Sequence, residues 1–225
     1  MTAINTFVRE SGVYFVVDGA TYLPAFGGNP AKTGRMAKVQ HLPWLGAAFA
    51  ITGPVMATFC HGPMIGDSPA KNFDEFAESF PDLLKRGADD MRKVGQAHLF
   101  GPCEVVIGGW SDERQRYEAY AVSTDSSISN GKPAFTLRPV TKYMRPYPPA
   151  AVGFTFEPEN AERDGMRILE MQRRANVQSP DGNNFTGVKA EFAIGAFAQL
   201  AHLTREGMTS KLIGVFEDAA ALIAD

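Results

Sequence analysis

The sequence predicts an α+β protein, in which antiparallel strand pairs alternate with amphipathic helices. Three observations support this. Apolar runs come in pairs joined by short polar turns, at 3–18, 38–51 and 104–122. Phe73, Phe76, Phe80, Leu83, Leu84, Met91 and Val94 recur at helical spacing. A second helical period covers 157–175, with Ala161, Gly165, Ile168 and Leu169 on one side and charges on the other.

The elements follow in order. Residues 3–8 and 13–18 read as two strands. The second is continuously apolar and rich in Val, as a strand covered on both faces requires. Pro24 to Pro30 has loop composition. Residues 38–42 and 45–51 read as the next pair. The segment 55–69 holds Gly62-Pro63 and Gly66, so any helix there is short or replaced. The Phe73 stripe is a core-facing helix, which Pro81 is expected to interrupt. Strands at 104–109 and 116–122 flank the turn Ser111-Asp112-Glu113. Residues 123–133 read as a loop, and Arg145-Pro146-Tyr147-Pro148-Pro149 as a structural connection. After the 157–175 helix, 178–187 reads as an inserted loop. Residues 188–201 and 211–216 are the last strands, and 218–224 is a short terminal helix. No domain boundary or internal repeat interrupts 1–225, so a single domain is expected.

Composition excludes several classes. Net charge is −3 with 22 Lys and Arg, which gives no nucleic-acid footprint. No apolar run approaches the roughly 18–20 residues of a membrane span, and no secretory apolar segment is seen, so a cytoplasmic location is expected. Cys60 and Cys103 are too few for a disulfide framework and read as core thiols. His41, His61, His98 and His202 have no mutual metal spacing, and Cys60-His61 read as strand neighbours pointing to opposite faces. Gly27-Gly28 and Gly108-Gly109 lack the lysine of a phosphate loop. Neither a metal nor a cofactor is expected.

The chemistry-bearing pattern lies at the start of the chain. Removal of Met1 ahead of the small Thr2 gives a terminal threonine with a hydroxyl and a free α-amine. Together these form a nucleophile and its base. The amine titrates at about 7.7–8.0, so it can take the hydroxyl proton near neutrality. Asp18 stands sixteen residues on, at the end of the second strand, and Lys38-Val39 follows.

Thr2, Asp18 and Lys38-Val39 at these distances resemble the proteasome β-subunit family, with the bacterial HslV-type peptidases as the nearest flavour. The resemblance implies a four-layer αββα sandwich of N-terminal-nucleophile hydrolases, two stacked antiparallel sheets between helix layers. It implies a threonine-type endopeptidase or amidohydrolase with Thr2 as nucleophile and peptide or protein as substrate, with the Lys38 ammonium favouring the neutral amine and a developing alkoxide and Asp18 holding that lysine charged and oriented. It also implies a homo-oligomer, in the family a ring, and an ATPase partner. Exposed aromatics around Trp44, Phe73, Phe76 and Phe80 would agree with self-association.

The chain departs from the family in the supporting shell. Glu191 stands for the usual Asp and Ile194 for an assisting Ser. Gly153-Phe154-Thr155 aligns with a G-S-G motif, and Phe154 cannot hydrogen-bond an amine. Gly53 is left to supply an oxyanion N–H, while Pro54 has none. The alternative is therefore a catalytically inactive, proteasome-like assembly or scaffold protein.

Overall fold

The computed structural model describes residues 3–21, 34–53, 55–93, 95, 102–129, 131–177 and 194–216. Strands β1 (Ile4–Arg9) and β2 (Gly12–Asp18) pair antiparallel, with Ile4 opposite Val17. All seven residues of β2 are buried, which is why its sequence does not alternate. β3 (Ala20–Thr21) and β4 (Gly34–Arg35) form a small separate pair. β5 (Val39–Leu42) and β6 (Ala47–Thr52) follow, joined by a single 3-10 turn at Pro43–Leu45. Helix α1 (Val55–Gly66) and helix α2 (Phe73–Lys93) come next.

β7 (Glu104–Ser111) and β8 (Arg116–Ser123) make the central hairpin, and β9 (Arg138–Pro139) and β10 (Lys142–Arg145) return the chain. Helix α3 (Ala161–Val177), β11 (Phe197–Thr204) and β12 (Gly207–Val215) complete the described elements. One five-stranded sheet runs β10-β1-β2-β11-β12 and the other β5-β6-β7-β8-β9. Every pairing within them is antiparallel.

The sheets face each other through Ile4, Phe15 and Val17 on one and Val39, Ala50 and Val106 on the other. Helices α1 and α2 cover the outer face of the second sheet, where Phe73, Phe76, Phe80 and Leu84 pack on Phe49 and Ile107. Helix α3 covers the outer face of the first through Ile168 and Leu169, against Phe7 and Val16. Gly165 makes that approach close: an added Cβ would stand 2.8 Å from Ile213 and 3.3 Å from Val16. A reciprocal amide pair, Asn5 with Gln172 at 2.9 Å both ways, locks α3 to β1, and Gln172 also donates to the Pro146 carbonyl at 2.6 Å.

Several expectations are corrected. Helix α1 is present, with Pro63 inside it. Pro81 does not interrupt α2, which runs on to Lys93. A proline removes one ladder bond, and the fully buried Phe76, Phe80 and Leu84 on either side hold the helix across it. Phe73, Phe76 and Phe80 are core residues, so they give no motive for association; of that group Trp44 is 53% exposed. His61 lies on α1 beside Cys60, not on a strand. β12 begins at Gly207, earlier than expected, and β9 and β10 fall between the 123–133 loop and the Pro-rich connection, overlapping the latter only at Arg145. The inserted loop at 178–187 and the terminal helix at 218–224 lie outside the described residues.

Candidate active site

Asp18 ends β2, and Ala3, immediately before β1, reaches the same end of the sheet because the two strands are a register-matched hairpin. The Ala3 amide donates to Asp18 Oδ1 at 2.8 Å. Lys38 Nζ donates to the same oxygen at 2.7 Å. Oδ2 accepts from the amides of Gly195 at 3.2 Å and Ala20 at 3.3 Å. Four donors fill the carboxylate's roughly four acceptor directions.

Both partners of the pair are buried, Asp18 at 0% and Lys38 at 3% exposure. Burial pulls the Lys38 amine below its ordinary value of 10.5, against the raising pull of Asp18. Desolvation of the ammonium is therefore the stronger effect, and the carboxylate offsets part of it. The Lys38 backbone amide donates to Gln199 Oε1 at 3.4 Å, and Gln199 in turn donates to Ser210 at 2.7 Å. Lys38 thus joins the edge of the second sheet to β11 and β12 of the first.

The structure brings Asp18 and Lys38 together and sets the Ala3 amide, the atom that carries residue 2, on the same carboxylate oxygen. Thr2 itself, Glu191 and Pro54 lie outside the described residues. Gly53 follows β6, with φ at +133°, a conformation that side-chain-bearing residues rarely adopt. A Cβ there would stand 2.8 Å from the Cys103 Cβ and 2.9 Å from the Pro102 carbonyl oxygen. Lys38 immediately precedes β5, whose Val39 is opposite Ala50 of β6, so Gly53 lies just past the end of the strand paired with β5.

Residues 153–155 do not flank this end. Phe154 is buried against Phe7, with ring centroids 6.1 Å apart. Phe7 is four residues along β1 from Ala3, about 13 Å at the usual rise. The strand that lies beside β1 is β10, and Arg145 is the partner of Ile4. Sequence reading missed Arg145 because its Pro-rich surroundings do not read as a strand. It missed Gly195 because that residue acts through its backbone N–H, which leaves no side-chain signal. Ile194, which stands where the resembled family has an assisting serine, is fully buried in the α3-side core.

Among the described residues no His, Cys, Asp and Glu side chains gather in a set of three that could hold a metal. No helix among them is long and apolar enough to cross a membrane. A groove of about 590 Å³ between the start of α3 and β11–β12 is lined by Tyr14, His202 and Lys211 but by neither Asp18 nor Lys38.

No protein-family model and no curated protein matches the chain. Solved structures do. A Gly-1 mutant of Anbu from Hyphomicrobium sp. strain MC1 superposes with a TM-score of 0.66 at 15% identity, covering 99% of this chain and 91% of that one. Anbu from Yersinia bercovieri, described as an ancestral β-subunit, gives 0.63 at 11% identity, covering 98% and 90%. The Anbu complex from Pseudomonas aeruginosa, solved as a helical assembly, gives 0.63 at 13%, covering 100% and 90%. These comparisons correct the HslV-type assignment, because the similar structures are Anbu proteins, a related but distinct proteasome-like group. The chain shares the α+β fold of the Anbu ancestral β-subunits.

Proposed function

We propose that this protein is a threonine-type N-terminal-nucleophile hydrolase that cleaves peptide or other amide bonds. The observation that carries the reading is the shared oxygen of Asp18, which takes the Lys38 ammonium at 2.7 Å and the Ala3 amide at 2.8 Å. The residue before that amide in the sequence is Thr2, which removal of Met1 would leave with a free α-amine. The helices on the outer faces of the two sheets support the four-layer αββα arrangement of such hydrolases.

In this reading the Thr2 hydroxyl attacks the amide carbonyl and its proton passes to the Thr2 α-amine. The Lys38 charge favours the alkoxide, and the Gly53 N–H donates to the oxyanion. The amine then gives its proton to the leaving nitrogen as the C–N bond breaks. Water, deprotonated by the same amine, hydrolyses the ester and restores Thr2. Glu191, which aligns with the family's Asp, is assigned a supporting role.

Self-association is part of the proposal, supported by the helical assembly of the Pseudomonas aeruginosa Anbu complex. An ATPase partner loses the basis that the HslV-type resemblance gave it.

The test is covalent labelling. Protein whose free Thr2 is confirmed by intact mass is treated with a peptide epoxyketone, which captures a hydroxyl and an amine on adjacent carbons. The expected product is one adduct on Thr2, lost in Thr2→Ala. No adduct on such a sample would overturn the enzymatic reading and leave the inactive scaffold.

A further inference from the structure

Glu104 begins β7 and is buried, with its side chain 2% exposed. Its neighbours across the ladder are Thr52 on β6 and Ser123 on β8. Oε1 accepts from Ser123 Oγ at 3.1 Å and from the Arg138 guanidinium. Oε2 accepts from Tyr143 Oη at 2.6 Å and pairs with Arg145 Nη1 at 3.3 Å. Tyr143 and Arg145 belong to β10 of the opposite sheet, so the cluster spans the gap between the sheets.

Among the described residues the charges in this cluster do not balance: one carboxylate faces two guanidiniums, accepting hydrogen bonds from Ser123, Arg138 and Tyr143 beside its ion pair with Arg145. Arg138 Nε is buried with no hydrogen-bond partner among the described residues. Arg145 makes the ion pair to Glu104, and no hydrogen bond from its guanidinium is seen among the described residues. Its side chain is 30% exposed and that of Arg138 24%. Among the described residues a fork of donors therefore stands at a partly open position with one positive charge in excess.

The register places that fork. Ile4 has Arg145 on one side and Val17 on the other, and Asp18 follows Val17. Arg145 is thus two strands from the Asp18 level, about 10 Å at the usual strand spacing. In the second sheet Glu104 lies at the level of Thr52, and Lys38 at about the level of Ile51 one strand beyond, again about 10 Å away. An extended peptide covers that distance in about three residues.

We infer that Arg145, held by Glu104 and flanked by Arg138, is a carboxylate-binding subsite of the proposed active site, selecting peptides with an acidic side chain within about three residues of the bond cut. The inference rests on the hydrolase reading for its substrate, but its chemistry is that of binding alone. A guanidinium fork matches a carboxylate in two parallel N–H···O bonds, and the match is strong where water is partly excluded. An asparagine in the same place offers one oxygen and no charge.

The experiment measures binding without turnover. Fluorescein-labelled hexapeptides that differ only in Asp or Asn at the third position are titrated against the full chain carrying Thr2→Ala, and anisotropy is read. The Asp peptide is expected to bind about tenfold more tightly, the worth of one charge-assisted hydrogen-bonded contact. Arg145→Gln should bring the two within about twofold, and Arg145→Lys, which keeps the charge without the fork, should restore part of the gap. Equal binding of the two peptides by the Thr2→Ala chain would overturn the inference, with no variant at Arg145 needed. So would an Asp preference that survives in Arg145→Gln with a native melting curve. Failure of epoxyketone labelling alongside a clear Asp preference would sink the hydrolase and spare the subsite. Labelling without an Asp preference would do the reverse.

Discussion

Asp18 holds the Lys38 ammonium and the Ala3 amide on a single oxygen, at 2.7 and 2.8 Å. The pair is therefore a joint of the fold as well as a site. Its lysine comes from the edge of one sheet and its carboxylate from the middle of the other. Removing either partner has consequences for both stability and chemistry.

Asp18→Asn should destabilise the protein by about 3–5 kcal/mol, the usual result of stripping one partner from a buried ion pair. Denaturant unfolding measures this, and a loss under about 1 kcal/mol would contradict the buried pair. Lys38→Ala leaves the Asp18 carboxylate with the three amides of Ala3, Ala20 and Gly195. Its fold should therefore survive better, while labelling of Thr2 by an epoxyketone slows by on the order of 10², the effect of losing a preorganised charge.

Gly53→Ala tests the turn after β6. The +133° φ and the 2.8 Å approach to the Cys103 Cβ leave no room for a methyl group. A loss of about 1–3 kcal/mol is expected from strain alone. A melting temperature equal to that of the parent chain would show that this backbone relaxes freely.

Cys103 should be inert in the native state. Burial pushes its thiol up to about 11, and the hydrogen bond with Thr124 offsets only part of that. The thiolate is the reactive form, so iodoacetamide at mildly alkaline pH should leave the Cys103 peptide unmodified. Mass spectrometry should find it alkylated only after denaturation. Rapid native modification would place the thiol outside the core.

Acid should weaken the attachment of the β7–β8 hairpin. Burial raises the Glu118 carboxyl, but hydrogen bonds from Tyr120, Arg116 and Arg114 outweigh it and hold the group below 4.5. Arg114 also bonds Asp74 on α2 at 2.6 Å. A carboxyl depressed by folding contributes stability that is complete above the unfolded pKa and is lost as pH falls through the folded one. The advantage of the parent chain over Glu118→Gln should accordingly be full above 4.5 and shrink below it. Urea midpoints taken across that range decide this, and a constant difference would refute it.

The sequence by itself determined the strand pairs and the core-facing helices. Buried strands and one-sided helices must show their periods: β2 is apolar throughout because both its faces are covered, and Phe73, Phe76 and Phe80 share a stripe because one face meets a sheet. The Asp18–Lys38 pairing was legible only through the resemblance that Thr2, Asp18 and Lys38-Val39 carry, since no local period joins the two residues. Tertiary structure alone decided what surrounds that pair. β10 is a four-residue strand ended by a proline and carries no period of its own. Arg145 is next to Ile4 only because β1 has an open edge for β10 to join, and Gln172 of α3 holds Pro146 there. Glu104 meets Tyr143, 39 residues on, and Arg145 across the two sheets, and no local spacing encodes that meeting. The same is true of Gly195, whose backbone N–H reaches Asp18 from 177 residues away. Periodicity reports which face of an element is buried, whereas the partner opposite that face is set by how the sheets stack.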